Sequence, residues 1–362
     1  MIRCFVLLVL ACAGLTPTVS AEGVTNQIMG QDELDAKYTA RRKELAADYR
    51  VERTRILPTL DSDYHRKAQQ QLSRVRELLQ EHRLPEARAL AENAYEAYPY
   101  SYAADDLLHC LVRAYAVSGD LREARMYTLD LWERFPAYEH FRDLLDELLV
   151  VAEYVQQRGR LFNFDAETPR EVIKDENLGD MLNANYLLFF LMRAGDQHVV
   201  APRATLGLAR GMLIQAGTSQ DDLIEARLAY DNFLDSYPDS PLVFEALVEQ
   251  AVSYLLSYRG DRYDMGSLIS AKQIIEQADL YTRGDPDRQA VISKFRTLIR
   301  RWHQERDLQI ANWYEDKGHY GPARHYYNEV IGRDATSKAA AEARRKRAEL
   351  PQAESGLGNE QP

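Results

Sequence analysis

The chain has 362 residues, 46% of them hydrophobic and 28% charged, with a formal net charge of −11. This is globular composition, with enough apolar material for one long array or two domains, and its acidity excludes a nucleic-acid footprint. Tyr occurs 22 times, which suits helix-packing surfaces where the ring is buried and the hydroxyl stays wet.

Residues 1–21 begin Met1-Ile2-Arg3, run apolar from Phe5 to Leu15 and reach Val19-Ser20-Ala21 before Glu22. One cation, a short apolar core and small residues before the cut describe a secretory signal peptide. The run is too short to span a bilayer, which takes roughly 20 apolar residues. Two processing sites stay open. Cleavage after Ala21 frees the mature chain, whereas cleavage before Cys12, in Val9-Leu10-Ala11-Cys12, leaves a lipid-modified cysteine. Cys4 is removed either way. Cys110, flanked by Leu107, Leu108, Leu111 and Val112, is expected to be a buried, inert thiol.

Residues 22–60 read as a charged helical spacer, with a helix over Asp32–Ile56. Leu34, Tyr38, Leu45, Tyr49 and Ile56 form its thin apolar stripe, interrupted by Arg41 and Glu52. Such a helix packs on the first repeat or spaces the array from an anchor; a short coiled coil is the alternative.

The next segment repeats a phrase: Glu86-Ala87-Arg88, Glu123-Ala124-Arg125 and Glu225-Ala226-Arg227, with a weaker copy at Pro322-Ala323-Arg324. Twelve residues after each of the first three alanines stands a proline preceded by an aromatic, at Tyr98-Pro99, Phe135-Pro136 and Tyr237-Pro238. A small residue early in a helix admits a close neighbour, the aromatic fills the far end, and the proline stops the helix. Helical stretches precede the phrases, Leu107 to Val117 before Ser118-Gly119-Asp120 and Ile310 to Asp316 before Lys317-Gly318. Helix, tight turn, helix, proline is the tetratricopeptide unit, with a period of about 34 residues. Ala87 to Ala124 is 37 residues and Ala124 to Ala226 is 102, or three periods.

The sequence therefore predicts an all-α tetratricopeptide-repeat α-solenoid of about five to six helix pairs, preceded by the charged helix. Degenerate helices are expected at Glu139–Gln157 and Asn177–Arg193, with a loop around Gly159–Pro169. One expanded repeat is expected from Leu242–Tyr258, the loop Arg259–Met265 and Leu268–Tyr281. By segment, residues 61–220 hold the N-terminal repeats, 221–350 the C-terminal repeats, and 351–362 a polar tail expected to be disordered. Ala87, Ala124, Ala226 and Ala323, with Pro99, Pro136 and Pro238, are the expected repeat-packing positions. Arg344-Arg345-Lys346-Arg347 is expected at the negative end of a helix.

The stretch from Asp221 to Leu350 resembles the BamD-like family of tetratricopeptide lipoproteins. The resemblance lies in Ala226-Arg-Leu-Ala-Tyr-Asp-Asn-Phe-Leu-Asp-Ser-Tyr-Pro-Asp-Ser240 and in Asp307-Leu-Gln-Ile-Ala-Asn-Trp-Tyr-Glu-Asp-Lys-Gly-His-Tyr-Gly-Pro-Ala323, with Tyr326-Tyr327-Asn328-Glu329-Val330. It implies an adaptor in outer-membrane protein assembly, at the periplasmic face of the outer membrane, whose partners are other envelope proteins or unfolded barrel segments. Two departures stand out. Cys12 lies in a poor lipobox, and Asp334-Ala335-Thr336 replaces the proline after the last repeat.

No constellation for catalysis is present. The eight histidines are scattered, without a His-Glu-x-x-His pair, a Gly-x-Ser-x-Gly elbow or a phosphate loop, so no enzyme, metal or cofactor is expected. Gly207 and Gly211 read as close-packing positions within a helix. Asp105-Asp106 and Asp221-Asp222 read as acids at helix starts, and Arg259-Gly260-Asp261 as an inter-helix loop.

The functional expectation falls on a groove. First helices of the pairs line it, which places Arg76, His109, Arg113 and Asn312 there, with Arg76 and Arg113 equivalent in adjacent repeats. The two guanidinium groups could clamp a carboxylate or acidic peptide, or pair with neighbouring acids. The reading is a non-enzymatic envelope scaffold that binds proteins. A structural protein tethering cell-wall or division enzymes is the alternative.

Overall fold

The computed structural model describes residues 40–158, 178–217, 219–258, 260 and 265–351. Among these are fourteen α-helices and no strand. Helix α1 covers residues 40–56. There follow α2 (Ser62–Gln80), α3 (Leu84–Ala97), α4 (Ala104–Ser118), α5 (Leu121–Arg134), α6 (Phe141–Arg158) and α7 (Leu178–Ala194). The rest are α8 (Val200–Ala216), α9 (Gln220–Ser236), α10 (Val243–Ser257), α11 (Gly266–Asp279), α12 (Pro286–Asp316), α13 (Tyr320–Arg333) and α14 (Lys338–Glu349). The signal-peptide segment with Cys12 and Ala21, the start of the charged helix, the loop around Gly159–Pro169 and the tail from 352 lie outside the described residues. So do Arg259 and Asp261.

The chain is an all-α array of helix pairs of the tetratricopeptide kind, and the repeated phrase shows why. Ala87, Ala124, Ala226 and Ala323 are each 0% exposed, so each methyl group lies directly under a neighbouring helix. Tyr98, Phe135 and Tyr237 are the C-caps of α3, α5 and α9. Each leaves the helical region, as a residue before proline must, while its N–H still donates to the carbonyl four residues back at 2.9 Å. Between paired helices the chain reverses through a left-handed residue. After α4, Gly119 (φ 87°) donates to Ala116 O at 3.1 Å and Asp120 to Tyr115 O at 3.0 Å. After α12, Gly318 (φ 75°) and His319 repeat this on Glu315 and Tyr314. The carbonyls a helix end would orphan are thereby satisfied.

Contacts divide the chain into two units, the first running to Gly211 and the second starting at Met212. The core of the first unit joins Leu72 and Val75 of α2, Leu107 and Leu111 of α4, Leu144 and Leu148 of α6, and Leu187 and Leu188 of α7. Helix α1 lies against its repeats. Tyr49 donates to Pro99 O, Arg53 to Ser101 O at 3.2 Å, Arg42 to Glu133 at 2.9 Å, and Arg50 to Glu133 O. These acceptors sit at or just beyond the C-terminal ends of α3 and α5, where carbonyls are free and the dipole favours cations. Tyr49 of the expected stripe faces the repeats, but Leu45 is 48% exposed, and Ala46 takes its place about one helical turn before Tyr49. The surface a coiled coil would need is thus occupied within the chain.

Helices α6 and α7 match the degenerate pair to within two residues at each end. Gly207 and Gly211 let α8 approach α7. A Cβ at Gly211 would stand 2.0 Å from Asn185 Oδ1, and one at Gly207 would stand 3.1 Å from Leu188. Asn185 is 2% exposed and accepts from Gln156 Nε2 at 3.3 Å, while Gln156 also donates to Gly207 O at 2.6 Å. A buried amide pair therefore ties α6, α7 and α8 at the closest approach.

In the second unit α9, α10, α11, α12 and α13 pack in sequence. The expanded repeat resolves into α10 and α11, but the short helix expected at Ile310–Asp316 belongs to a 31-residue helix, α12. Asp285 caps its start by accepting from Asp287 and Arg288 at 3.0 Å, with Pro286 in the first turn. From there to Asp316 no glycine or further proline interrupts strong helix formers. One helix thus serves two successive pairs. Gln304 and Asp307, both 2% exposed, fasten it to the end of α13. Gln304 donates to Val330 O at 2.8 Å, and Asp307 pairs with Arg333 at 2.7 Å. The missing proline after α13 is replaced by a capping turn, with Thr336 N–H bonded to Asp334 at 2.9 Å and Ala340 N–H to Ser337 Oγ at 3.0 Å. Residues 344–347 occupy the last turns of α14.

Gly211→Ala should destabilise the protein by about 1–3 kcal/mol, because Asn185 must leave a buried bonded position. Gly332→Ala, with nothing near the added methyl, should stabilise by about 0.5 kcal/mol through helix propensity. Urea unfolding of the two variants measures both signs. Tyr49→Ala should release α1, seen as faster amide exchange over residues 40–56 with exchange in α4 unchanged.

Candidate functional site

The first helices α2, α4 and α6 lie side by side and carry the charged positions. Arg76 on α2 and Arg113 on α4 each lie eleven residues before the shared alanine of their repeat, so each projects towards the next first helix. Arg76 reaches Asp106 Oδ2 at 2.9 Å, and Arg113 Nε reaches Glu147 Oε2 at 2.8 Å. Both arginines are half exposed. Each commits part of its fork to a neighbouring acid and leaves other N–H donors for an incoming acceptor.

These groups border a cavity of about 410 Å³ lined by Arg76, Leu79, Gln80, His82, Asp106, His109, Cys110, Arg113, Tyr138 and His140. A hydrogen-bonded chain organises it. Tyr138 O–H donates to Asp106 Oδ1 at 2.9 Å and lies 2.7 Å from His109 Nδ1. A carboxylate paired with Arg76 can only accept, so the one phenolic proton points to Asp106 and the phenolic oxygen accepts from His109 Nδ1–H. That fixes the His109 tautomer, with Nε2 as a buried acceptor lacking a partner.

Burial first, then the Arg113 cation, holds His109 down to about 4, so the ring is neutral at physiological pH. Burial and the Asp106 bond raise the Tyr138 phenol. Burial pushes the Cys110 thiol up to about 11, which is the inert cysteine the apolar helix implied. Asp105 and Asp106 do lie in the first turn of α4, and Asp106 serves both that helix start and the Arg76 pair.

Three of the four expected groove residues, Arg76, His109 and Arg113, come together here. Asn312 does not. It occupies the same register position, eleven before Ala323, but lies in the second unit. There its side chain accepts from Tyr327 and from Lys346, each at 2.8 Å. The register position is a contact point between successive pairs: Arg113 to Glu147 and Asn312 to Lys346 both span 34 residues. Glu147 and Tyr138 are not marked by the sequence reading, and His140 enters it only among the scattered histidines, beside Glu139 and without a third metal ligand. The 34-residue spacing from Arg113 is the signal that finds Glu147; nothing in the sequence marks the turn residues.

Val117, Val150 and Tyr154, all exposed, continue the faces of α4 and α6 beyond Arg113 and Glu147. The site thus offers paired charges, a neutral imidazole and an apolar margin on rigid helices. Among the described residues no group of three or more His, Cys, Asp or Glu could hold a metal ion, and no helix is long and apolar enough to cross a membrane.

No protein-family model matches the chain, and no curated protein matches it. Among solved structures, it is similar to the C-terminal part of a TPR repeat-containing protein from Cytophaga hutchinsonii. That match has 12% identity, covers 75% of this chain and 98% of the other, and has a TM-score of 0.26. It is also similar to a tetratricopeptide repeat protein from Parabacteroides merdae, at 13% identity over 78% and 99% of the chains, with a TM-score of 0.23. Superpositions this loose add nothing to the assignment, which rests on the shared alanines, C-caps and left-handed turns. The class these features define is the tetratricopeptide-type helical repeat.

The buried neutral His109 makes stability depend on pH with a definite sign. The folded protein binds this proton near pH 4, the unfolded chain near 6.5, so its contribution is present above 6.5 and lost as pH falls towards 4. Urea unfolding at pH 7 and pH 5 should show the wild type losing about 1–2 kcal/mol more than His109→Gln. Equal losses would mean that the ring is not held neutral.

Proposed function

We propose that the chain is an exported, non-enzymatic scaffold that binds other proteins through the cleft of its first unit, in outer-membrane protein assembly. The observation that carries this is the cleft itself. Arg76 and Arg113 stand at one register position of adjacent first helices, half exposed, and a bonded chain through Asp106, Tyr138 and His109 holds the wall between them. A surface organised before binding loses little side-chain freedom on contact, so paired guanidinium groups with spare donors suit a carboxylate-rich or C-terminal segment. Arg76 and Arg113 thus act as a clamp that bridges internal and external carboxylates. The signal-peptide pattern of residues 1–21 supports export, with either Ala21 or Cys12 as the processed end. The BamD-like stretch from Asp221 to Leu350 supports the assembly role, with envelope proteins or unfolded barrel segments as partners at the periplasmic face of the outer membrane.

Affinity isolation of the native protein from gently solubilised envelopes, with mass spectrometry of the eluate, tests this reading. A barrel-assembly subunit should co-purify and be lost from the Arg76→Gln/Arg113→Gln double variant, whose fold is checked by circular dichroism. Recovery of cell-wall enzymes without any such subunit would replace the assembly role with that of a tether. Undiminished capture by the folded double variant would remove the cleft from the account.

A further inference from the structure

One residue of the cleft sits where the repeat pattern calls for glycine. Five residues before the shared alanine stand His82, Gly119 and Gly318. All three end a first helix with positive φ, at 56°, 87° and 75°. The bonds are the same: His82 N–H donates to Leu79 O at 3.2 Å and Arg83 N–H to Leu78 O at 2.9 Å. A Cβ in this conformation crowds the carbonyl beyond it, which is why glycine dominates the position. His82 is the one non-glycine residue with positive φ among the described residues.

The turn bonds offset the backbone cost, but the side chain adds nothing to them. Among the described residues the His82 imidazole makes no hydrogen bond, ion pair or ring contact with the protein. It lines the cavity that also holds Arg76, His109, Arg113 and His140. The turn's own bonds account for the backbone. What they leave unexplained is an imidazole, in place of glycine, exposed without a protein partner at the rim of a cleft, and this points to the side chain's use by something that enters it.

We propose that His82 is a specificity-determining contact of the cleft, its ring donating a hydrogen bond to a carboxylate-bearing peptide that Arg76 and Arg113 engage. This rests on the cleft being the partner-binding surface. The sister turns carry no side chain at this position, so the contact belongs to the first repeat alone and fixes which end of a bound segment lies there.

Thermal melts and fluorescence anisotropy of the full-length chain, with a fluorescein-labelled peptide Gly-Ser-Gly-Ser-Asp-Glu-Asp-Glu ending in a free carboxylate, separate strain from use. His82→Gly should raise Tm by about 2–4 °C and weaken the peptide about 5–10-fold. His82→Asn, which tolerates the left-handed conformation, should weaken it to a similar degree while remaining folded. A raised Tm with unchanged peptide affinity in His82→Gly would overturn the role of His82. If Arg76→Gln/Arg113→Gln loses binding in that case, the cleft reading still stands. No binding by the wild type would overturn both.

Discussion

Four helices of the array, α3, α5, α9 and α13, each bury an alanine completely at the shared position of the repeat, where there is room for no more than a methyl group. Ala87, Ala124, Ala226 and Ala323 have no exposed surface, and a larger side chain there would part the helices and open a void along each pair. Everything else in a repeat holds that approach. A left-handed residue reverses the chain in two or three residues, and an aromatic C-cap before proline ends the second helix at a fixed length. Where α8 meets α7 the constraint is tighter still. Glycine replaces alanine, and the buried Gln156–Asn185 pair occupies the space that side chains would otherwise fill.

The same geometry makes the cleft. Because first helices stand side by side at a fixed spacing, a residue at one register position meets the next first helix at a predictable point. In the first unit that point holds Arg76 and Arg113 against Asp106 and Glu147; in the second it holds Asn312 against Lys346. Exposed pairs of this kind add little to stability. Their role in the first unit is positional, since they keep two guanidinium groups extended beside a neutral, bonded histidine. In the second unit Gln304, Asp307 and Tyr327 join α12 to α13, and Lys346 ties α14 to Asn312 of α12.

Much of the array was legible in the sequence because its constraints are local. An alanine twelve residues before a proline that follows an aromatic, and a glycine between helical stretches, are statements about short stretches of chain. They located α3, α4, α5, α9 and α13 and, by spacing, α6 and α7. What went astray was set by distant contacts. The continuous α12 follows from an absence of breakers after Pro286, of which the repeated phrase marks only the last turns, Ile310 to Asp316. The seat of α1 depends on free carbonyls at Glu133, Pro99 and Ser101, far along the chain, and these selected Ala46 over Leu45.

The sequence by itself determined the fold class, the register of the repeats and the shared position of Arg76 and Arg113, because each follows from helical period and turn chemistry. Only the tertiary structure decided that both arginines are already paired and that His109 is neutral and locked in one tautomer. It also decided that Asn312 is engaged internally. Those outcomes turn on distances of about 3 Å between residues 29 to 34 apart in the chain, and burial, which sets the protonation of a histidine, exists only once the helices have met.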